Sequence, residues 1–115
     1  MLEPIISTLK YEISLFNKLK NSEFKYYAIF LFTLIIKHFS DYTLSKETGK
    51  PVSTFNYLDE LKKLNLITKE EENLIKKCIS ISRRKDKLIE KSSEINLKEI
   101  EKLILKLKNR IQIDL

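Results

Sequence analysis

The chain has 115 residues, of which 43% are hydrophobic and 33% charged, and its formal net charge is +6. This composition is that of a folded globular protein and excludes an intrinsically disordered chain; we predict a single domain over residues 1–115. One glycine and two prolines supply few turns, which favours long helices joined by short loops over a strand-rich fold. We therefore predict an all-α protein, an up-and-down bundle of about four to five helices.

The first two predicted helices cover residues 2–20 and 23–44, and Ser22 is predicted to cap the second. The second helix is apolar on nearly every side, which is typical of a helix surrounded by others or lining a subunit interface. Because a domain this small cannot easily cover every side of one helix, we predict a homodimer. The predicted interface consists of Tyr27, Leu31, Leu34, Ile35 and His38.

The middle of the chain contains the clearest loop. Thr48-Gly49-Lys50-Pro51 is predicted to be a loop, because glycine commonly ends a helix and Pro51 cannot continue one. Ser53 is predicted to cap a short helix with leucines at positions 58, 61 and 64. Asn65 is predicted to adopt the left-handed conformation that often follows the end of a helix.

Two further helices are predicted in the last part of the chain. Thr68 and Glu71 form a capping-box pattern, and we predict one helix from there to Lys91. Residues 92–96 contain serines and an asparagine that mark a turn. An amphipathic helix over residues 97–111 follows, with its apolar side toward the core.

Few residues indicate catalysis. Cys78, the only cysteine, lies on an apolar helical stripe, so we expect a buried structural thiol rather than a nucleophile. His38, the only histidine, lies in the most apolar helix and is expected to be a hydrogen-bonded core or interface residue. The acidic runs at 59–60 and 70–72 are expected to be solvated helix faces and capping charges. We expect no metal and no cofactor, and we lean against an enzyme.

The most apolar segment, residues 26–36, is bracketed by Lys25 and Lys37. A helix of this length reaches about 16 Å, roughly half the thickness of a bilayer core. We therefore interpret it as a buried central helix and expect no membrane partner. The N-terminus lacks the pattern of a secretory signal, and we expect a cytoplasmic protein.

Basic residues are concentrated between Lys76 and Lys91, where seven basic and two acidic residues supply +5 of the net charge. Such a concentration favours a polyanionic partner, with RNA or DNA the most common class. The alternative is a solvated, lysine-rich helix face. The candidate nucleic-acid-binding residues are Lys76, Lys77, Arg83, Arg84, Lys85, Lys87 and Lys91.

From about residue 25 onward, the order of elements resembles the HEPN superfamily, specifically its HepT-like toxin branch. The similar segments are Lys25-Tyr26-Tyr27-Ala28-Ile29 at the start of a long apolar helix, Gly49-Lys50-Pro51, Leu64-Asn65-Leu66-Ile67-Thr68, the basic cluster, and Ser93-Glu94-Ile95-Asn96-Leu97 before a last amphipathic helix. The resemblance implies a helical homodimer that cleaves RNA and is paired with a small nucleotidyltransferase antitoxin.

Members of that family carry an Arg-Asn-x-x-x-His motif at the basic cluster. The best match here is Lys85-Asp86-Lys87-Leu88-Ile89-Glu90, in which Lys85, Asp86 and Glu90 stand where the family has Arg, Asn and His. A carboxylate at Glu90 would repel a scissile phosphate, and lysine cannot reproduce the bidentate grip of arginine. We therefore expect nuclease chemistry to be lost and the binding of RNA, another polyanion or a cognate partner to remain.

Two other functions stay open at this point. Residues 44–67 resemble a helix-turn-helix of the winged type, which implies a DNA-binding transcription regulator. In that interpretation the side chains facing base edges or phosphates would be Thr54, Asn56, Tyr57, Lys50, Lys62 and Lys63. The third possibility is a helical protein-interaction module without nucleic acid, whose binding should be nearly independent of salt.

Overall fold

The computed structural model describes residues 2–50 and 56–115. Over these residues the chain forms six α-helices and one short 3₁₀ helix, and no strand occurs in the described ranges. The helices are α1 (Glu3–Leu19), α2 (Lys25–Thr48), α3 (Tyr57–Lys63), α4 (Lys69–Ser82), α5 (Lys85–Lys91) and α6 (Leu97–Ile111), with the 3₁₀ helix η1 (Ser92–Glu94) between α5 and α6. The all-α prediction is confirmed.

The long helix α2 lies at the centre of the fold and packs against each of the other five α-helices. Four of its side chains, Phe32, Ile35, Ile36 and Phe39, are completely buried in one continuous core. The neighbouring helices supply the rest of that core through residues such as Leu9, Phe16, Ile75, Ile100 and Leu107. The apolarity of α2 therefore has an explanation within a single chain, and it no longer requires a second copy.

The boundaries of α2 differ from the prediction at both ends. The helix continues to Thr48, where Gly49 takes the left-handed conformation at φ 72° and its N–H donates to the Ser45 carbonyl. Ser22 does not cap α2, because Phe24 occupies the capping position. Instead the Ser22 hydroxyl oxygen accepts from the Phe24 N–H at 3.0 Å and stabilises the turn before the helix.

The helix predicted from residue 68 to Lys91 is interrupted, which gives six helices rather than five. Arg84 is extended, with φ −133° and ψ 134°, and α5 starts anew after it. In a straight helix, Arg84 and Lys85 would lie one turn beyond the buried Ile81 and would face the core. Burying two unpaired cations is costly, so the break leaves them in solvent while Leu88 returns to the core.

The predicted start of α4 is confirmed in detail. The Thr68 hydroxyl accepts from the Glu71 N–H at 3.1 Å, and the Glu71 carboxylate accepts from the Thr68 N–H at 2.8 Å. Arg110, near the end of α6, donates to both carboxylate oxygens of Glu71, at 2.6 and 3.1 Å. Partial burial acts to raise the pKa of Glu71, but the hydrogen bonds from Arg110 and Thr68 outweigh it and hold that pKa below its ordinary value.

Three further local predictions fall on this part of the fold. Asn65 has a φ of 56° and is left-handed as predicted. The turn predicted at residues 92–96 contains η1, and the Asn96 side chain there also caps α6 by accepting from the Lys98 N–H at 2.9 Å. The predicted helix start at Ser53 lies outside the described residues. No helix in the described part of the chain is long and apolar enough to cross a membrane.

Candidate nucleic-acid interface

Five exposed basic side chains are grouped where α4 turns into α5. We refer to this group as the α4–α5 corner, and it consists of Arg83, Arg84, Lys85, Lys87 and Lys91. Arg83 ends α4, the extended Arg84 forms the turn, and the lysines belong to α5. The break in the helix thus leaves Arg83, Arg84 and Lys85 in solvent around the turn, and Lys87 and Lys91 are exposed further along α5.

The charges of the corner are only partly balanced. Arg84 donates two hydrogen bonds to Asp86, from Nε to Oδ1 at 3.2 Å and from Nη2 to Oδ2 at 2.8 Å. Lys91 lies 3.7 Å from a carboxylate oxygen of Glu94. Within the described ranges, no ion pair engages Arg83, Lys85 or Lys87. The cations of these three residues are the ones most available to an anionic partner.

Asp86 remains ionised at neutral pH. Desolvation acts to raise its pKa, but the backbone N–H of Lys87 and the Arg84 guanidinium outweigh that effect and hold the pKa below its ordinary value. The Asp86 carboxylate therefore places a negative charge within the basic corner and engages the Arg84 guanidinium.

Lys76 and Lys77 are less available than the five residues of the corner. Lys76 lies 3.7 Å from a carboxylate oxygen of Glu72, and Lys77 lies 4.0 Å from one of Glu94. Both side chains are about half exposed, so these contacts are of the surface type that hydration weakens. The cations of the predicted basic surface are accordingly most available to an anionic partner at the corner and less available along α4.

Glu72 was expected to be solvated, and that expectation is wrong. Its side chain is 2% exposed, and its carboxylate oxygens lie 2.9 Å from Lys62, 2.9 Å from Lys69 and 3.7 Å from Lys76. Hydrogen bonds from Lys62 and Lys69 lower the pKa of Glu72 to about 2. The three lysines converge from α3 and α4, a tertiary arrangement that spacing along one helix does not reveal.

The residues of the helix-turn-helix interpretation lie in a different environment. Lys62 is held by Glu72, and Tyr57 is half-buried with its carbonyl accepting from the Ser40 hydroxyl at 3.0 Å. Burial raises the pKa of Tyr57, although the nearby Arg83 charge opposes this. Lys50, Asn56 and Lys63 are exposed, and Thr54 lies outside the described residues. The helix α3 has only seven residues, and two of them, Tyr57 and Lys62, are partly buried or held by an ion pair. Little of its surface is therefore left to contact base edges.

The predicted dimer residues occupy two different environments. Ile35 is fully buried and Leu31 is 8% exposed, so both already contribute to the core of one chain. Leu34 and His38 are partly exposed, while Tyr27 is 37% exposed. The imidazole Nδ1 of His38 lies 2.7 Å from a carboxylate oxygen of Glu12, which links α2 to α1.

An aromatic stripe on the outer side of α2 was partly missed by the sequence reasoning. Phe24, Tyr27 and Phe30 follow one another at intervals of three and are 46%, 37% and 40% exposed. Leu34 continues the stripe one turn further along the helix. Phe30 was overlooked because α2 is apolar on every side, so hydropathy alone does not distinguish its inner face from its outer one.

Cys78 is buried completely, as expected, and burial raises the pKa of its thiol to about 12. The thiol is therefore protonated at neutral pH and is a poor nucleophile.

None of the protein-family models, curated proteins or solved structures compared with the chain matches it.

Proposed function

We propose that this protein is a HEPN-like, HepT-type homodimer that binds single-stranded RNA through the α4–α5 corner and does not cleave it. The observation that carries the proposal is the presence of five exposed basic side chains within residues 83–91, at the turn and along α5, three of them without an ion pair in the described ranges. Arg83, Lys85 and Lys87 lie close together in the chain but do not share one helix face. A flexible single strand can follow cations arranged in this way better than a rigid duplex can.

Loss of cleavage follows from the chemistry of the motif positions. Lys85, Asp86 and Glu90 are all exposed on α5, and two of the three are acidic. General acid–base catalysis on a phosphodiester needs a group that titrates near neutral pH within hydrogen-bond reach of the reacting oxygens. The only histidine, His38, lies on α2 and contacts Glu12.

The dimer in this proposal uses the outer side of α2. Support comes from the aromatic stripe of Phe24, Tyr27 and Phe30, which is exposed in one chain and has the spacing of a helix–helix contact. A second copy of the same stripe, related by a two-fold axis, would cover it with a self-complementary surface. The two predicted dimer residues that remain accessible beside the stripe are Leu34 and His38.

A salt series with two nucleic acids tests the proposed function. The purified protein is mixed with labelled single-stranded RNA and with duplex DNA of equal length at increasing salt concentrations, and the RNA is checked for cleavage in the same samples. We expect RNA binding that weakens steeply with salt and intact RNA, because phosphate contacts release counterions.

Other results of the salt series would favour a different function or contradict the proposal. Preferential duplex binding would favour the helix-turn-helix regulator, and cleavage of the RNA would contradict the lost chemistry. Absence of binding to either nucleic acid at low salt would contradict the proposal. A protein partner, either a nucleotidyltransferase-type antitoxin or the partner of an interaction module, would then be the remaining candidate for this surface.

A further inference from the structure

A cavity of about 410 Å³ opens where α1 ends and where α2 and α6 begin. This volume lies in the lower part of the range of roughly 300–1,000 Å³ that is typical of small-molecule sites. We refer to it as the α1–α2–α6 basin. Its polar lining consists mainly of Lys20, Asn21, Lys25, Ser93, Asn96 and Lys98.

The basin is surrounded by three lysines. Lys20 lies 2.9 Å from a carboxylate oxygen of Glu101, with side-chain exposures of 20% and 40%, so this pair is partly hydrated and weak. Lys25 and Lys98 are exposed, and no carboxylate in the described ranges forms an ion pair with either. An anion entering the basin would meet two ammonium groups that no described carboxylate engages.

Backbone polarity adds to this charge. The helices α2 and α6, of 24 and 15 residues, both begin at the basin, at Lys25 and Leu97. The N-terminus of a helix carries partial positive charge, and its first N–H groups have no partner within the helix. At α6 the Lys98 N–H is already bonded to the Asn96 side chain, and Lys20 is paired with Glu101. The positive potential of the basin therefore comes mainly from Lys25, Lys98 and the uncapped start of α2.

The accessible apolar lining of the basin is small. Ile29 and Ile95 are only 1% and 7% exposed, so the partly exposed Leu97 supplies most of the apolar surface that a ligand could contact. A bare inorganic anion gains nothing from such a surface, whereas a ligand that joins a phosphate to a planar or apolar body contacts both parts. The combination matches a nucleotide better than it matches a free phosphate ion.

We propose that the α1–α2–α6 basin binds a nucleotide through its phosphomonoester group. The phosphate lies between Lys25 and Lys98 at the start of α6, and the nucleoside packs against the partly exposed Leu97. A nucleotide phosphomonoester can belong to either of two ligands, a free mononucleotide or the 5′-phosphorylated end of an RNA strand. The site does not depend on the α4–α5 corner, and it stands if the corner binds nothing.

The test titrates the full-length protein with AMP, with inorganic phosphate, and with short RNA strands that carry either a 5′-phosphate or a 5′-hydroxyl. Binding is followed by calorimetry and by amide chemical shifts. We expect the double variant Lys25→Gln/Lys98→Gln to bind the phosphorylated ligand at least about tenfold more weakly, because neither side chain then donates a charge-assisted hydrogen bond to the phosphate. The matched control is Lys10→Gln/Lys106→Gln, which removes two exposed lysines that do not line the basin.

The chemical-shift changes are measured on the unaltered protein, so this part of the test does not depend on the stability of the variants. Perturbation of Ile29, Ile95 and Lys98 amides in the unaltered protein by AMP supports a free nucleotide. The same perturbation only by the 5′-phosphorylated strand supports a strand end. Equal binding of the two strands together with no AMP binding, shifts confined to residues 83–91, or phosphate binding as tightly as AMP would each overturn the proposal.

Discussion

A carboxylate oxygen of Glu72 lies 2.9 Å from Nζ of Lys62, and this contact joins α3 to α4 at a side chain that is almost completely buried. Lys69 and Lys76 approach the same carboxylate from α4. Two of the candidate nucleic-acid-binding residues, Lys62 and Lys76, are therefore not unpaired cations. Because the contact with Lys62 needs the ionised carboxylate, we expect the packing of α3 against α4 to depend on pH.

We predict that acid weakens the protein through Glu72. The pKa of this carboxyl is about 2 in the folded chain, below its ordinary value of 4.5, so its ionised form stabilises the fold. The stabilisation is complete above about pH 5 and is lost as the pH falls toward 2. Glu72→Gln should therefore unfold at a lower temperature at pH 7 and should show a smaller loss between pH 5 and 2.

The matched control for that experiment is Glu70→Gln, an exposed carboxylate in the same first turn of α4. Thermal unfolding followed by circular dichroism at several pH values measures both variants. Identical pH profiles for the two would contradict the role assigned to Glu72.

A charge-reversal variant addresses the proposed RNA surface. Replacement of Arg83, Arg84, Lys85 and Lys87 by Glu should abolish RNA retention and leave helicity intact, because all four side chains are exposed. Single substitutions to Gln should each reduce the salt dependence. The slope of log K against log salt is negative, and it should become less steep by roughly 0.7 for each phosphate of the single strand that the variant no longer neutralises.

The control for charge reversal carries the same change of net charge at other places. It replaces four exposed lysines outside the corner by Glu, namely Lys10, Lys18, Lys102 and Lys106. Electrophoretic mobility shifts of a labelled RNA compare the two variants at equal salt. Equal weakening of both would show that net charge, and not the corner, determines binding.

The outer stripe of α2 gives a prediction about oligomeric state. Phe30→Glu should shift the mass in solution from dimer to monomer without loss of helicity, because Phe30 is 40% exposed in one chain. The control Leu105→Glu changes a side chain that is 54% exposed on α6 and should leave the mass unchanged. Light scattering after size-exclusion chromatography distinguishes the two, and a Phe30 variant with unaltered mass would exclude this interface.

Ile35 provides the contrasting prediction. Because it is fully buried in the core of one chain, Ile35→Ala should lower the free energy of unfolding by about 2–5 kcal/mol. Urea unfolding at several protein concentrations measures the change. A variant as stable as the parent would contradict the burial of Ile35 within one chain.

Gly49 offers a test of backbone strain without a steric clash. Its φ of 72° is unfavourable for side chains, yet a Cβ placed there meets no atom within 4 Å. Gly49→Ala should therefore cost only about 1–2 kcal/mol of stability, and Gly49→Asn less. Urea unfolding of the two variants gives the order, and a stabilised Ala variant would contradict the left-handed end of α2.

The elements that local sequence determines were predictable, and those that depend on tertiary contacts were not. Gly49, Asn65 and the pair Thr68 and Glu71 each act on the backbone within a few residues, so their effects follow from the sequence. The break at Arg84 depends on which side of α4 faces the core, and the burial of Glu72 depends on a lysine from another helix. Residue spacing shows that charges interrupt the apolar stripe at residues 83–87, but it does not show that the helix breaks at Arg84 or that Glu72 is buried.

The basic corner illustrates the same division. Its composition was evident from the sequence, but the pairing of Arg84 with Asp86 and the availability of Lys85 and Lys87 required side-chain positions. The outer face of α2 was ambiguous for the opposite reason. A helix that is apolar all round has a hydropathy pattern that does not identify which side the neighbouring helices leave uncovered.

The inert thiol of Cys78 makes the protein convenient for site-directed labelling. Because this single cysteine is completely buried and protonated, thiol reagents should modify a cysteine introduced at an exposed position far faster than Cys78 itself. A fluorophore or spin label attached at the exposed Glu90→Cys, on α5, or Glu23→Cys, in the turn before α2, would report on the corner or on the basin without removal of Cys78 or of a proposed binding lysine. The rate at which a thiol reagent modifies Cys78 would then measure how often the core opens.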